Sequence, residues 1–232
     1  MLAMLGVAMK TALFVCFFLW ASTLAPADDA LPGPWKHQDI NPATVPGTAG
    51  QDGGVFTLAG TMDIWGVADG SHFMWQPRHG DVEIVARVTA IDNPGGVGHA
   101  KASLCIRESL KPGSRQVTLC VTPVDGTQFI YRDTADAKAV RVFQDAESLK
   151  ASVPKGQFPC WLKLIRHGDD VTGYESPDGQ QWHLSGSVKL ALVEDTLAGL
   201  AASSHKPDVL TKATFDHLEI SGPAAMPTTA PR

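Results

Sequence analysis

Charge is scarce in this chain. Only 19% of its 232 residues are Asp, Glu, Lys or Arg, and the formal net charge is -5. No cluster of Lys and Arg stands out to neutralise a phosphate backbone, which excludes a nucleic-acid partner. Cysteine is equally sparse, four residues in all, with no Cys-x-x-Cys pair and no Cys/His cluster at metal-ligand spacing. No dense Asp/Asn loop offers the oxygen set calcium needs, so no metal is assigned and no cofactor is expected. A Gly-x-Ser-x-Gly nucleophile elbow is missing, which argues against an esterase. No internal repeat is visible, which disfavours propellers and solenoids.

The longest apolar run lies at the start. Thr11 to Leu24 is nearly unbroken, Lys10 precedes it, and Ala25-Pro26-Ala27 supplies small residues in the pattern a signal peptidase reads. At about 14 residues the run falls short of the roughly 20 that cross a bilayer. The expectation is a secretory signal peptide over 1–27, cleaved after Ala27, with the protein secreted or periplasmic and no transmembrane span in the mature chain. Export permits disulfides, yet Cys105, Cys120 and Cys160 are an odd number.

What the remainder has in quantity is turn residues and alternation. With 22 Gly and 16 Pro, long helices are disfavoured. Asp81 to Ile91 places Val82, Ile84, Ala86 and Val88 on one face and Glu83, Val85, Arg87 and Thr89 on the other. Lys101 to Glu108 turns Ala102, Leu104 and Ile106 inward and Ser103, Cys105 and Arg107 outward, and Gln116 to Thr122 repeats the pattern. Trp161 to Arg166, Thr196 to Ser203 and Thr211 to Ile220 read as further strands. Pro112-Gly113, Asp125-Gly126, His167-Gly168-Asp169 and Pro177-Asp178-Gly179 mark turns between strands. About ten strands at this spacing indicate a sandwich or barrel. The segment 135–152 reads as a long excursion between strands. The division expected is a β-sandwich over 28–221 and a Pro/Ala/Thr-rich disordered tail over 222–232.

Several blocks, taken in order, carry a resemblance. They are Asp63-Ile64-Trp65-Gly66, His72 to Pro77, Gly80 to Val88, Ala100 to Ser109, Trp161 to Arg166, Ser176-Pro177-Asp178-Gly179 with Trp182, and Ala213 to Asp216. The ordered set resembles the secreted bacterial "regulation of enolase"-like domains of unknown function, in the concanavalin A-like lectin/glucanase superfamily. The resemblance implies an all-β jelly roll of two curved antiparallel sheets. It implies little about activity, since that fold hosts lectins, hydrolases and inert spacers. Cys105 and Cys120 stand where that family has other apolar or small residues. A symmetric hairpin between their strands would set them opposite each other, as a disulfide or as two packed thiols.

Three functions follow as expectations. The first is a non-catalytic module binding a polysaccharide or glycan, with Trp65, Trp75, Glu83, Arg87, Arg107 and Trp182 as candidate ligand-binding residues. Arginine offers a planar fork of donors, and indole faces stack on sugar rings. Trp75 alternates with Phe73 and reads equally as core. The second is a glycoside hydrolase or lyase of the same superfamily. Asp81-Val82-Glu83 is its nearest approach, but Val85 and Arg87 stand where further carboxylates are needed, so no catalytic residue is assigned. An ion pair is the plainer role for Glu83 and Arg87. The third is a structural or protein-binding domain without a small ligand.

Overall fold

In the computed structural model the described residues are 31–41, 45–92, 96, 98–144 and 152–223. The expected signal peptide, and all but the first two residues of the expected tail, lie outside them. Fourteen strands form among the described residues and no helix does, so none is long and apolar enough to cross a membrane. They are β1 (Lys36–Ile40), β2 (Thr48–Asp52), β3 (Val55–Met62), β4 (Ser71–His79), β5 (Val82–Asp92), β6 (Lys101–Arg107), β7 (Gln116–Thr122), β8 (Gly126–Arg132), β9 (Val140–Val142), β10 (Cys160–His167), β11 (Asp170–Ser176), β12 (His183–Lys189), β13 (Asp195–Ser203) and β14 (Lys206–Ser221).

Two seven-stranded sheets result, with antiparallel pairing throughout. The first runs β1-β4-β13-β6-β7-β8-β9 and the second β12-β11-β10-β5-β14-β3-β2. The alternating residues face each other across the gap as expected. Ile84, Leu104, Leu119, Phe129, Leu162, Leu164, Leu200 and Phe215 share one core and are fully buried. Burying each such side chain contributes roughly 1.5–3 kcal/mol. Phe129 needs unusual room. Its ring lies over Gly173 of β11 and Gly186 of β12, where a Cβ would come within 2.7 Å of it.

The second sheet shows the simple pattern: β5 and β10 alternate buried and half-buried residues. The first does not. Every residue of β6 and β7 is buried on both faces. Its outer face is roofed by three loops, 63–70, 108–115 and 133–139, which bond to one another. Asp69 N–H donates to Pro112 O at 2.8 Å, Asp136 N–H to Gly113 O at 2.8 Å, and Ala139 N–H to Gly66 O at 2.7 Å. Under this roof Ile40, Ile64, Phe73, Trp75, Cys105 and Ala201 make a second apolar cluster.

The hairpin between β6 and β7 differs from expectation by two positions. Cys105 pairs with Thr118 and Cys120 with Ser103. The two cysteines are therefore diagonal neighbours, a relation that sets residues roughly 7–8 Å apart and beyond disulfide span. All three described cysteines are free and buried. The excursion over 135–152 contains the short edge strand β9, and its residues 145–151 lie outside those described.

Candidate functional site

The six candidate residues separate onto different faces. Trp75 is 5% exposed and stacks on Phe73 with ring centroids 5.4 Å apart, so it is core beneath the roof and not a ligand platform. Arg107 is 2% exposed; its Nε donates to Ser109 O and its Nη2 to Lys111 O, both at 2.7 Å. Its parity is outward, as the alternation implies, but the roof converts it from a surface donor into a tether for the 108–115 loop.

Glu83, Arg87 and Trp182 lie on the outer side of the second sheet, away from that roof. Arg87 pairs with Asp216, not Glu83, through hydrogen bonds of 2.7 and 2.5 Å. Asp216 sits directly across the β14–β5 ladder, whereas Glu83 is four residues along the same strand. Glu83 borders a shallow groove with Asp81, Arg166 and His167. Trp182 lies under the Lys163 ammonium, 3.9 Å from its ring centroid. In the turn before it, Asp178 accepts N–H bonds from Gln180 and Gln181, a capping role that holds its carboxyl below the usual aspartate range.

Trp65 opens onto a cavity on the roofed side of the molecule. It sits in the 63–70 loop and is 38% exposed. Asp63, His99, Lys101, Gln128, Arg141 and His205 complete a lining around about 240 Å³. The loop is held at three points. Ile64 is buried among the second cluster. Gly66 takes φ +67°, and its carbonyl accepts from Arg132 Nη2 at 3.1 Å and from Ala139 N–H. Asp63 binds the Lys101 ammonium through Oδ1 and His205 Nδ1, at 2.7 Å, through Oδ2.

Asp125 organises the opposite wall. Its Oδ2 accepts from Gln128 Nε2 at 2.8 Å and faces His99 Nδ1 at 3.0 Å and Arg141 Nη1 at 3.8 Å. The His99 and His205 rings meet at 5.2 Å. Each has its Nδ1 on a separate carboxylate, which fixes the ring and leaves Nε2 as its other polar atom. The cavity thus offers one indole wall and a ring of polar groups already oriented by their own partners. Asp63 and Asp125 both engage neighbouring side chains through their carboxylate oxygens. Among the described residues no group of three His, Cys, Asp or Glu is placed to hold a metal ion.

Sequence reasoning passed over His99, Lys101, Arg141 and His205 as site residues. Lys101 had a signal, since its parity matches Ser103 and Arg107 on the outer face. The histidines and Arg141 come from turns and an edge strand, where period-2 patterning says nothing.

No protein-family model matches the chain, and no curated protein matches it in sequence. Solved structures do resemble it. A functionally unknown protein from Saccharomyces cerevisiae superposes with a TM-score of 0.59 at 16% identity, over 82% of this chain and 97% of that one. The carbohydrate binding module CBM66 from Bacillus subtilis gives 0.52 at 14% identity, over 81% and 95%. Arcelin-5, a lectin-like defense protein from Phaseolus vulgaris, gives 0.50 at 10% identity, over 86% and 95%. At such identities the likeness is one of architecture: the two antiparallel sheets form a jelly-roll sandwich of the concanavalin A-like kind.

Proposed function

We propose that this protein is a non-catalytic module that binds carbohydrate, with a single sugar unit seated in the cavity at Trp65. The observation that carries the reading is the exposed indole set in a lining that is otherwise polar. A sugar ring presents an apolar C–H face and a rim of hydroxyls, and the cavity presents a flat apolar wall and carboxylate, amide, imidazole and ammonium groups. The volume is below the roughly 300–1,000 Å³ of drug-sized sites, which suits one ring at a chain end. The anchoring of Asp63, Ile64 and Gly66 supports a preformed site, which spares a ligand the cost of ordering it. A fold shared with a carbohydrate binding module fits this reading. So does the sequence likeness to secreted "regulation of enolase"-like domains, and a signal-peptide-like N-terminal pattern supports action outside the cytoplasm.

A glycan array with the chain lacking 1–27, followed by calorimetry on the hits, tests the proposal. Trp65→Ala should weaken binding about tenfold or more, with unfolding temperature unchanged, and Trp65→Phe should retain part of it. Binding that is indifferent to Trp65, or absent from every glycan, overturns it. Turnover of a bound glycan would point instead to the hydrolase reading.

A further inference from the structure

Five arginines of this protein are tied down by hydrogen bonds. Arg87, Arg107, Arg115, Arg132 and Arg166 each donate two or more hydrogen bonds. Arg141, in the wall of the cavity, donates none among the described residues. Its Nε is buried without a partner, its Nη1 stands 3.8 Å from Asp125, and its guanidinium carbon lies 5.1 Å over the Phe143 ring. The side chain is 25% exposed and held in place by the β8–β9 ladder, where Arg141 pairs with Ile130. The other fixed cation, Lys101, is committed to Asp63 and to His99 O.

A buried N–H with no acceptor calls for an explanation; Arg78 Nε is another, but Arg141 is the one of the two whose guanidinium lines the cavity, with no hydrogen bond from its Nη groups among the described residues. The partner that fits a guanidinium edge is planar and bidentate, with two acceptor oxygens. A hydroxyl meets only one of those donors. We propose that the sugar taken by this cavity is a uronic acid, its carboxylate on Arg141 and its ring against Trp65. The inference rests on the carbohydrate reading above and adds the charge of the ligand.

Calorimetry with uronic-acid oligosaccharides and their carboxyl-reduced counterparts tests it on the chain lacking 1–27. The wild type should bind at least one acid about tenfold or more tighter than its neutral counterpart. Arg141→Ala should bring the two to parity. Arg141→Lys should restore only part of the preference, since an ammonium keeps the charge without the fork. Trp65→Ala should weaken both ligands alike. Equal binding of acid and neutral forms overturns the uronic-acid assignment and leaves the carbohydrate reading standing. Failure of every glycan to bind overturns both. Unfolding temperatures of the variants separate lost contact from lost fold.

Discussion

The Arg132 guanidinium holds the Asp69 carboxylate through two hydrogen bonds of 2.7 and 2.8 Å, with both side chains fully buried. Asp69 ends the loop that carries Trp65, and Arg132 ends β8. Arg107 stands 3.7 Å from the same carboxylate. Carbonyls of Gly66, Pro112, Ser114 and Ala137 take further Arg132 donors, so the three roof loops converge on one side chain. Two buried cations then depend on one anion. Asp69→Ala leaves both uncompensated and should cost about 3–5 kcal/mol, read by urea unfolding. Asp69→Asn keeps an acceptor but not the charge, so it should fall between. A loss under about 1 kcal/mol for Asp69→Ala would show that the network is not what fastens the roof.

This network also marks the limit of what the sequence discloses. The gap between the sheets was legible, because Val82, Ile84, Ala102, Leu104 and Val117 recur at period two and nothing else buries them. Ser103, Cys105 and Arg107 alternate just as a solvent-facing row does. The loop that follows Arg107 covers that row together with loops some 40 residues earlier and some 30 later, and local patterning carries no trace of their meeting. Trp65 was legible as an aromatic beside a turn glycine. Its neighbours were not, because β13 enters the sheet between β4 and β6 and thereby brings His205 beside His99.

The cysteines provide a sharp count. Burial pushes the Cys105 thiol upward and those of Cys120 and Cys160 up to about 12. At pH 8 almost no thiolate forms, and no reagent reaches the sulfurs without opening the fold. In the chain starting at residue 28, a thiol-specific chromogenic reagent should find close to none in the native protein and three in guanidinium. A single thiol in guanidinium without reductant would instead reveal a disulfide and contradict the two-residue offset between Cys105 and Cys120.

Acid should loosen the outer face of the second sheet. The Arg87 hydrogen bond holds the Asp216 carboxyl below its usual range, with His217 adding to the effect. The Gly168 N–H, with the His167 side chain, does the same for Asp81. A carboxyl depressed in the folded state contributes stability at pH values above the unfolded aspartate value of about 3.9, and that contribution is lost as pH falls through the lower folded value. Unfolding temperature should therefore drop below about pH 4, and Asp216→Asn isolates one share of the drop. The variant should melt below the wild type near pH 6, where Asp216 is ionised against Arg87. As the pH is lowered further the gap should narrow, because a protonated aspartate and an asparagine offer Arg87 much the same neutral acceptor. A gap that stays constant down to the acid unfolding of both proteins would mean that the Asp216 side chain acts through packing across the β14–β5 ladder, and not through its charge.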